Sequence, residues 1–68
     1  MEGMEPINPR QLALLRAISA RPGRPANQLP AGSEADLIWL TRNDLVQERG
    51  TGGIHPTHLG SMVLKRAL

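Results

Sequence analysis

Proline and glycine cut this chain at three places: Pro22, Gly23 and Pro25, then Pro30 and Gly32, then Gly50, Gly52, Gly53 and Pro56. Proline removes a backbone donor and crowds the preceding helical turn, and glycine raises the entropic cost of regular structure, so no long element can cross these clusters. Helix-length segments remain before Pro22, after Gly32 and after Pro56, with room for only about one turn at Ala26 to Leu29. The 68 residues include no cysteine, which removes disulfides and cysteine-ligated zinc, so packing alone must hold the fold. A chain of this length makes one domain at most and leaves no room for a catalytic domain with a deep pocket of its own. With 40% hydrophobic and 21% charged residues there is a core to build, and disorder along the whole length is excluded.

Residues 1–6 lack periodicity and read as a flexible lead-in to a domain over residues 7–68. Asn8, Pro9 and Gln11 fit the N-cap, first-turn and N3 positions of a helix, and Ile7 and Leu12 stand where a hydrophobic staple would. Leu12, Leu14, Leu15 and Ile18 fall on one side of that helix at about 100° per residue. Ser33 with Asp36 forms a second capping pattern, which predicts a helix from about Glu34 to Asn43 with Leu37, Leu40 and Thr41 on one face. Asn43 and Asp44 suit a left-handed stop. Leu45 to Arg49 partly alternates, Gly50-Thr51-Gly52-Gly53 is turn chemistry, and Ile54-His55-Pro56 can answer as a second strand with Pro56 at its edge or end. Thr57 caps a last helix whose apolar stripe is Leu59, Met62 and Val63, with Lys65 and Arg66 at its negative end. The fold class is mainly α with a small β-hairpin, in the order helix, helix, helix, strand, strand, helix. The common core is expected from Leu12, Leu15, Ile18, Leu37, Leu40, Leu59 and Val63. A plain helical bundle stays open only if residues 45–56 form no hairpin.

Seven arginines and one lysine face six acids for a formal charge of +2. Setting aside Glu2 and Glu5 in the lead-in leaves eight basic residues against four acids, or +4, on residues 6–68. That mild basic balance fits a small nucleic-acid binder and also many proteins that bind nothing charged. With Trp39 as the only aromatic residue, the stacking platforms that hold single strands are missing. No apolar run approaches the roughly 18 residues a membrane span needs, and the acidic N-terminus is unlike a signal peptide, so a cytoplasmic protein is expected. His55 and His58 lack a third ligand nearby, and Ser19, Ser33 and Ser61 lack a triad setting. The Gly50 to Gly53 run has no following Lys-Ser or Lys-Thr. Neither enzyme activity, nor a metal or cofactor, nor a small-molecule effector is therefore inferred.

Leu37-Ile38-Trp39-Leu40-Thr41-Arg42-Asn43-Asp44-Leu45-Val46 resembles the "leucine, two residues, leucine, three residues, Gly-Leu-Val" run that closes the recognition helix of bacterial winged-helix repressors, with Asp44 where Gly is usual. Thr57-His58-Leu59-Gly60 is similar to the "Thr, two residues, Gly" start of the helix after the wing in multiple-antibiotic-resistance-type and phenolic-acid-type regulators. Together with the element order, the resemblance covers residues 8–68 and implies a winged helix-turn-helix. Gly60 at N3 would let the last helix pack closely.

The resemblance implies that the helix after Ser33 lies in the major groove of duplex DNA while the wing and helix N-termini touch phosphate. By position Ser33 to Arg42 is then the reading surface, with Ala35, Ile38, Trp39 and Arg42 opposite Leu37 and Leu40. Arg42 can contact guanine in bidentate fashion, and Ile38 and Ala35 can meet a thymine methyl. Arg21, Arg24 and Arg49, with Thr51, Gly52 and Gly53 at the wing, complete the candidate DNA-binding set, the glycines allowing close approach to a backbone. DNA would be bound weakly by a monomer and usefully by a homodimer. Glu34 and Asp36 oppose this reading by sign, unless they serve only as first-turn capping residues. Trp39 fits a core or a partner contact. If Ile38 and Trp39 are exposed beside Arg42, the rival reading is a protein-interaction or dimerisation module that does not dock DNA.

Overall fold

The computed structural model describes residues 7–67, and the lead-in expected over residues 1–6 lies outside them. Helix α1 spans Pro9–Ala20. The Asn8 side chain accepts from the Gln11 amide at 2.8 Å and the Gln11 side chain accepts from the Asn8 amide at 3.0 Å, so a reciprocal capping box starts the helix as its sequence predicts. Gln11 is buried by this role and shares the inward face with Leu14, Leu15 and Ile18. Leu12, expected in the core, is half-buried and lies outside the core cluster; one residue on from the inward Gln11, it is rotated off that face.

After α1 the chain makes a single 3₁₀ turn at Ala26–Gln28, all that Pro25 and Pro30 permit, and then drops Leu29 into the core. Helix α2 spans Glu34–Arg42. The capping box expected from Ser33 and Asp36 is absent: the Ser33 side chain makes no cap, and its hydroxyl donates to the Pro30 carbonyl at 2.6 Å. The hydroxyl is turned back toward the preceding turn and away from the α2 amides. The helix ends with Asp44 at φ 61°, the Asp44 amide donating to the Thr41 carbonyl at 3.1 Å and the Leu45 amide to the Leu40 carbonyl at 2.9 Å. This is a Schellman stop with aspartate in the usual glycine position, so the departure from the repressor pattern at Asp44 is absorbed without loss of the turn.

Strands β1, Val46–Glu48, and β2, Ile54–Pro56, pair antiparallel with Val46 opposite Pro56 and Glu48 opposite Ile54. Pro56 sits at the strand end, where its missing donor matters least. The hairpin excludes the plain helical bundle. A further bridge joins Arg24 to Ile54: the Gly23 amide donates to the Ile54 carbonyl and the Ile54 amide to the Arg24 carbonyl, both at 2.9 Å. The α1–α2 connection is thereby stitched to the hairpin.

Helix α3 spans His58–Arg66, and the Thr57 hydroxyl both accepts from the Gly60 amide at 3.0 Å and donates to the Asp44 carbonyl. A single side chain starts α3 and ties it to the end of α2. A Cβ on Gly60 would fall onto the Leu45 carbonyl oxygen, nearer than nonbonded atoms approach. That contact sets the rotation of α3 so that Gly60, Val63 and Leu64 turn inward. Leu59 and Met62, expected in the apolar stripe, are instead 42% and 38% exposed. The core consists of Leu14, Leu15, Ile18, Leu29, Leu40, Leu45, Val46 and Ile54, with Leu37, Trp39, Val63 and Leu64 packed against it.

Candidate nucleic-acid interface

Leu40 is fully buried, and it fixes which side of α2 meets solvent. Glu34, Ala35, Ile38, Thr41 and Arg42 are exposed, an i, i+1, i+4, i+7 and i+8 series that forms one stripe along the helix. Ile38 is 53% exposed, more than any other large apolar side chain among the described residues. Trp39, a candidate for this surface, is half-buried and packs against the core, so the outward stripe is narrower than expected. Thr41, expected on the inward face with Leu37 and Leu40, is exposed and returns its hydroxyl to the Leu37 carbonyl at 2.8 Å. Ser33 is half-buried with its hydroxyl engaged by Pro30.

The loop between the strands carries the other candidates. Residues Gly50–Gly52 form a 3₁₀ turn, with Gly50, Thr51 and Gly52 exposed and Arg49 exposed at its base. The His55 Nε2 lies 2.8 Å from the Gly52 carbonyl and pins the loop from the second strand. Gly53 is buried: it has φ 77°, and a Cβ there would overlap the Gly23 carbonyl. Its bareness therefore serves an internal contact between the hairpin and the α1–α2 connection. The close approach of Gly23 and Gly53 sets the segment holding Arg21 beside the loop that follows Arg49, and both arginines are exposed.

Arg24 is placed differently. It is half-buried, and one guanidinium nitrogen donates to the Ala17 carbonyl at 2.9 Å, satisfying the end of α1, while its Nε is buried without a partner. A cation on the last carbonyls of a helix is a stabilising arrangement. Arg24→Ala is expected to lower unfolding free energy by about 1.5 to 3 kcal/mol in a denaturant titration, the range for a hydrogen bond from a charged group. Unchanged stability would show that the Ala17 contact contributes nothing.

Comparison with protein-family models, with curated proteins and with solved structures gives no match. The reading of this surface therefore rests on the chain's own residues.

Two features escaped the sequence. The role of Arg24 depends on a backbone carbonyl seven residues away, for which no local pattern exists. The burial of Gly53 depends on its meeting Gly23, and only the positive-φ tendency of glycine hinted at a constraint there. No group of three or more His, Cys, Asp or Glu among the described residues is placed to hold a metal ion. No helix among them is long and apolar enough to cross a membrane.

Proposed function

We propose that this chain is a small winged-helix module that binds duplex DNA, as a transcriptional regulator or the DNA-binding part of one. The observation that carries the reading is the solvent-facing stripe of α2, with Ile38 and Arg42 exposed, on a domain whose hairpin loop is held against the α1–α2 connection. A helix with one buried and one bare side, and a hairpin fixed relative to it, form a preset two-point contact for a groove and its adjoining backbone. Arg42 would read a guanine edge and Ile38 a thymine methyl, with Ala35 beside them. Arg21 and Arg49 would contact phosphate, assisted by Thr51 and Gly52 at the exposed loop. Trp39 would support Ile38 from beneath, Ser33 and Gly53 would position the helix and loop, and Arg24 would hold α1 in place. A dimer would add a second such contact to each site.

The test is titration with a mixed-sequence duplex, followed by amide shifts and repeated at several salt concentrations. With Arg21 and Arg49 each neutralising a phosphate, affinity should fall about 12-fold between 50 and 200 mM salt. Arg21→Ala and Arg49→Ala should each reduce the logarithmic salt slope by about 1, and Arg42→Ala should cost about 1 to 3 kcal/mol at a preferred site. Absence of shifts at α2 and at residues 49–52 would overturn the reading.

One observation favours a second reading. The bare side of α2 holds Ile38 between Glu34 and Arg42, a mixed apolar and charged stripe of the kind that meets protein. A protein-interaction or dimerisation module using Ile38, Arg42 and the exposed part of Trp39 would show binding that salt barely weakens.

A further inference from the structure

The charges of this domain are segregated by element. Helices α1 and α3 contain no aspartate or glutamate, whereas they carry Arg10, Arg16, Lys65 and Arg66. The acids of the described residues, Glu34, Asp36, Asp44 and Glu48, all lie on α2, at its end or on β1. Since α1 packs directly on α3, the two helices build a side of one sign. Between them runs a groove of about 420 Å³, lined by Arg16, Ser19 and Ala20 from α1 and by Ser61, Leu64 and Lys65 from α3. Arg16 and Lys65 are exposed, and Leu64, half-buried, packs against the core at the groove's base.

We propose that this groove docks an acidic, amphipathic helical segment of a partner protein. The apolar base formed by Ala20 and Leu64 would receive the partner's apolar side chains, while Arg16 and Lys65 face its carboxylates and Ser19 and Ser61 offer hydroxyl donors. Charge complementarity selects this occupant. A second copy using the same side would set cation against cation, because α1 and α3 supply no acid to answer Arg16 and Lys65. A nucleic-acid backbone would satisfy the cations and leave the apolar base without a complement. A bilayer is flat where this surface is concave, and a helix laid in a groove matches its shape. The site shares none of the residues proposed to contact DNA.

The test pans the full chain against a displayed library of random peptides about 16 residues long, enough for about 24 Å of helix. Selected peptides are expected to be rich in Asp and Glu with apolar residues at helical spacing. They should shift the amides of Ser19, Ala20, Ser61 and Leu64, and lose affinity at least about tenfold against the doubly reversed Arg16→Glu, Lys65→Glu variant. Both positions are exposed, and an unchanged melting curve shows that the variant folds. The proposal falls if the peptides show no acidic enrichment, if they shift α2 instead, or if the reversed variant binds them equally. It also falls if a mixed duplex or phosphatidylglycerol vesicles shift the same four amides, or if the reversal changes the chain's own sedimentation.

Discussion

Leu40→Ala is expected to lower the unfolding free energy by about 2 to 5 kcal/mol. Leu40 is among the largest side chains with no solvent exposure, and it stands where α2 meets the core formed by α1, Leu29 and the start of β1. Truncation would remove methyl groups from the cluster that Leu40 shares with Leu15 and Ile18 of α1, Leu29, Val46 of β1 and Ile54 of β2, parts of different elements that cannot all collapse inward at once. At 0.05 to 0.15 kcal/mol per residue, a domain of this size holds only about 3 to 10 kcal/mol in total. The variant should therefore melt far below the parent or lose its cooperative transition. Calorimetry would check this, and a cooperative melt at the parent's temperature would mean that α2 is not anchored through Leu40.

Gly60→Ala carries the second large effect, with a sign opposite to helix propensity. In an exposed helix that change stabilises by about 1 kcal/mol. Here the added Cβ would meet the Leu45 carbonyl oxygen first and the Leu15 side chain next. The carbonyl is not free to swing, because it already accepts from the Thr57 amide at 3.0 Å. Relief requires α3 to move off Leu45, which strains the Thr57 cap and opens the core at Val63. A net loss of about 1 to 3 kcal/mol follows from overpacking, measurable in a denaturant titration. A stabilised Gly60→Ala variant would contradict the close approach of α3 to the end of α2.

What the chain's order of residues reveals, and what it hides, divides along the range of the interactions concerned. The Asn8–Gln11 box, the left-handed Asp44, the Gly50 to Gly53 turn and the Thr57 cap each depend on neighbours within a few positions, and each takes the form its residues predict. Ser33 is the local exception: its hydroxyl donates back to the Pro30 carbonyl, and the side chain makes no cap to α2. The rotation of α3 was beyond periodicity: Leu59, Met62 and Val63 make as plausible a stripe as Val63 and Leu64, and only the contact of Gly60 with Leu45 decides between them. The same holds for the candidate interface. Arg42 and Ile38 were legible as outward residues, whereas the partial burial of Trp39, the engagement of Arg24 and the internal use of Gly53 are products of tertiary placement.

The stitch between Gly23, Arg24 and Ile54 also bears on the order in which the domain assembles. Those amides are held only when residues some thirty positions apart in the chain have met, so the second strand gains its outer partner late, after α1 has a defined end. In hydrogen–deuterium exchange, the hydrogen-bonded amides of Gly23 and Ile54 should exchange more slowly than the amides of the loop at Thr51, which exchange from the native state. A slow-exchanging Gly23, in a segment bounded by prolines and outside any helix, would be the kinetic trace of that closure.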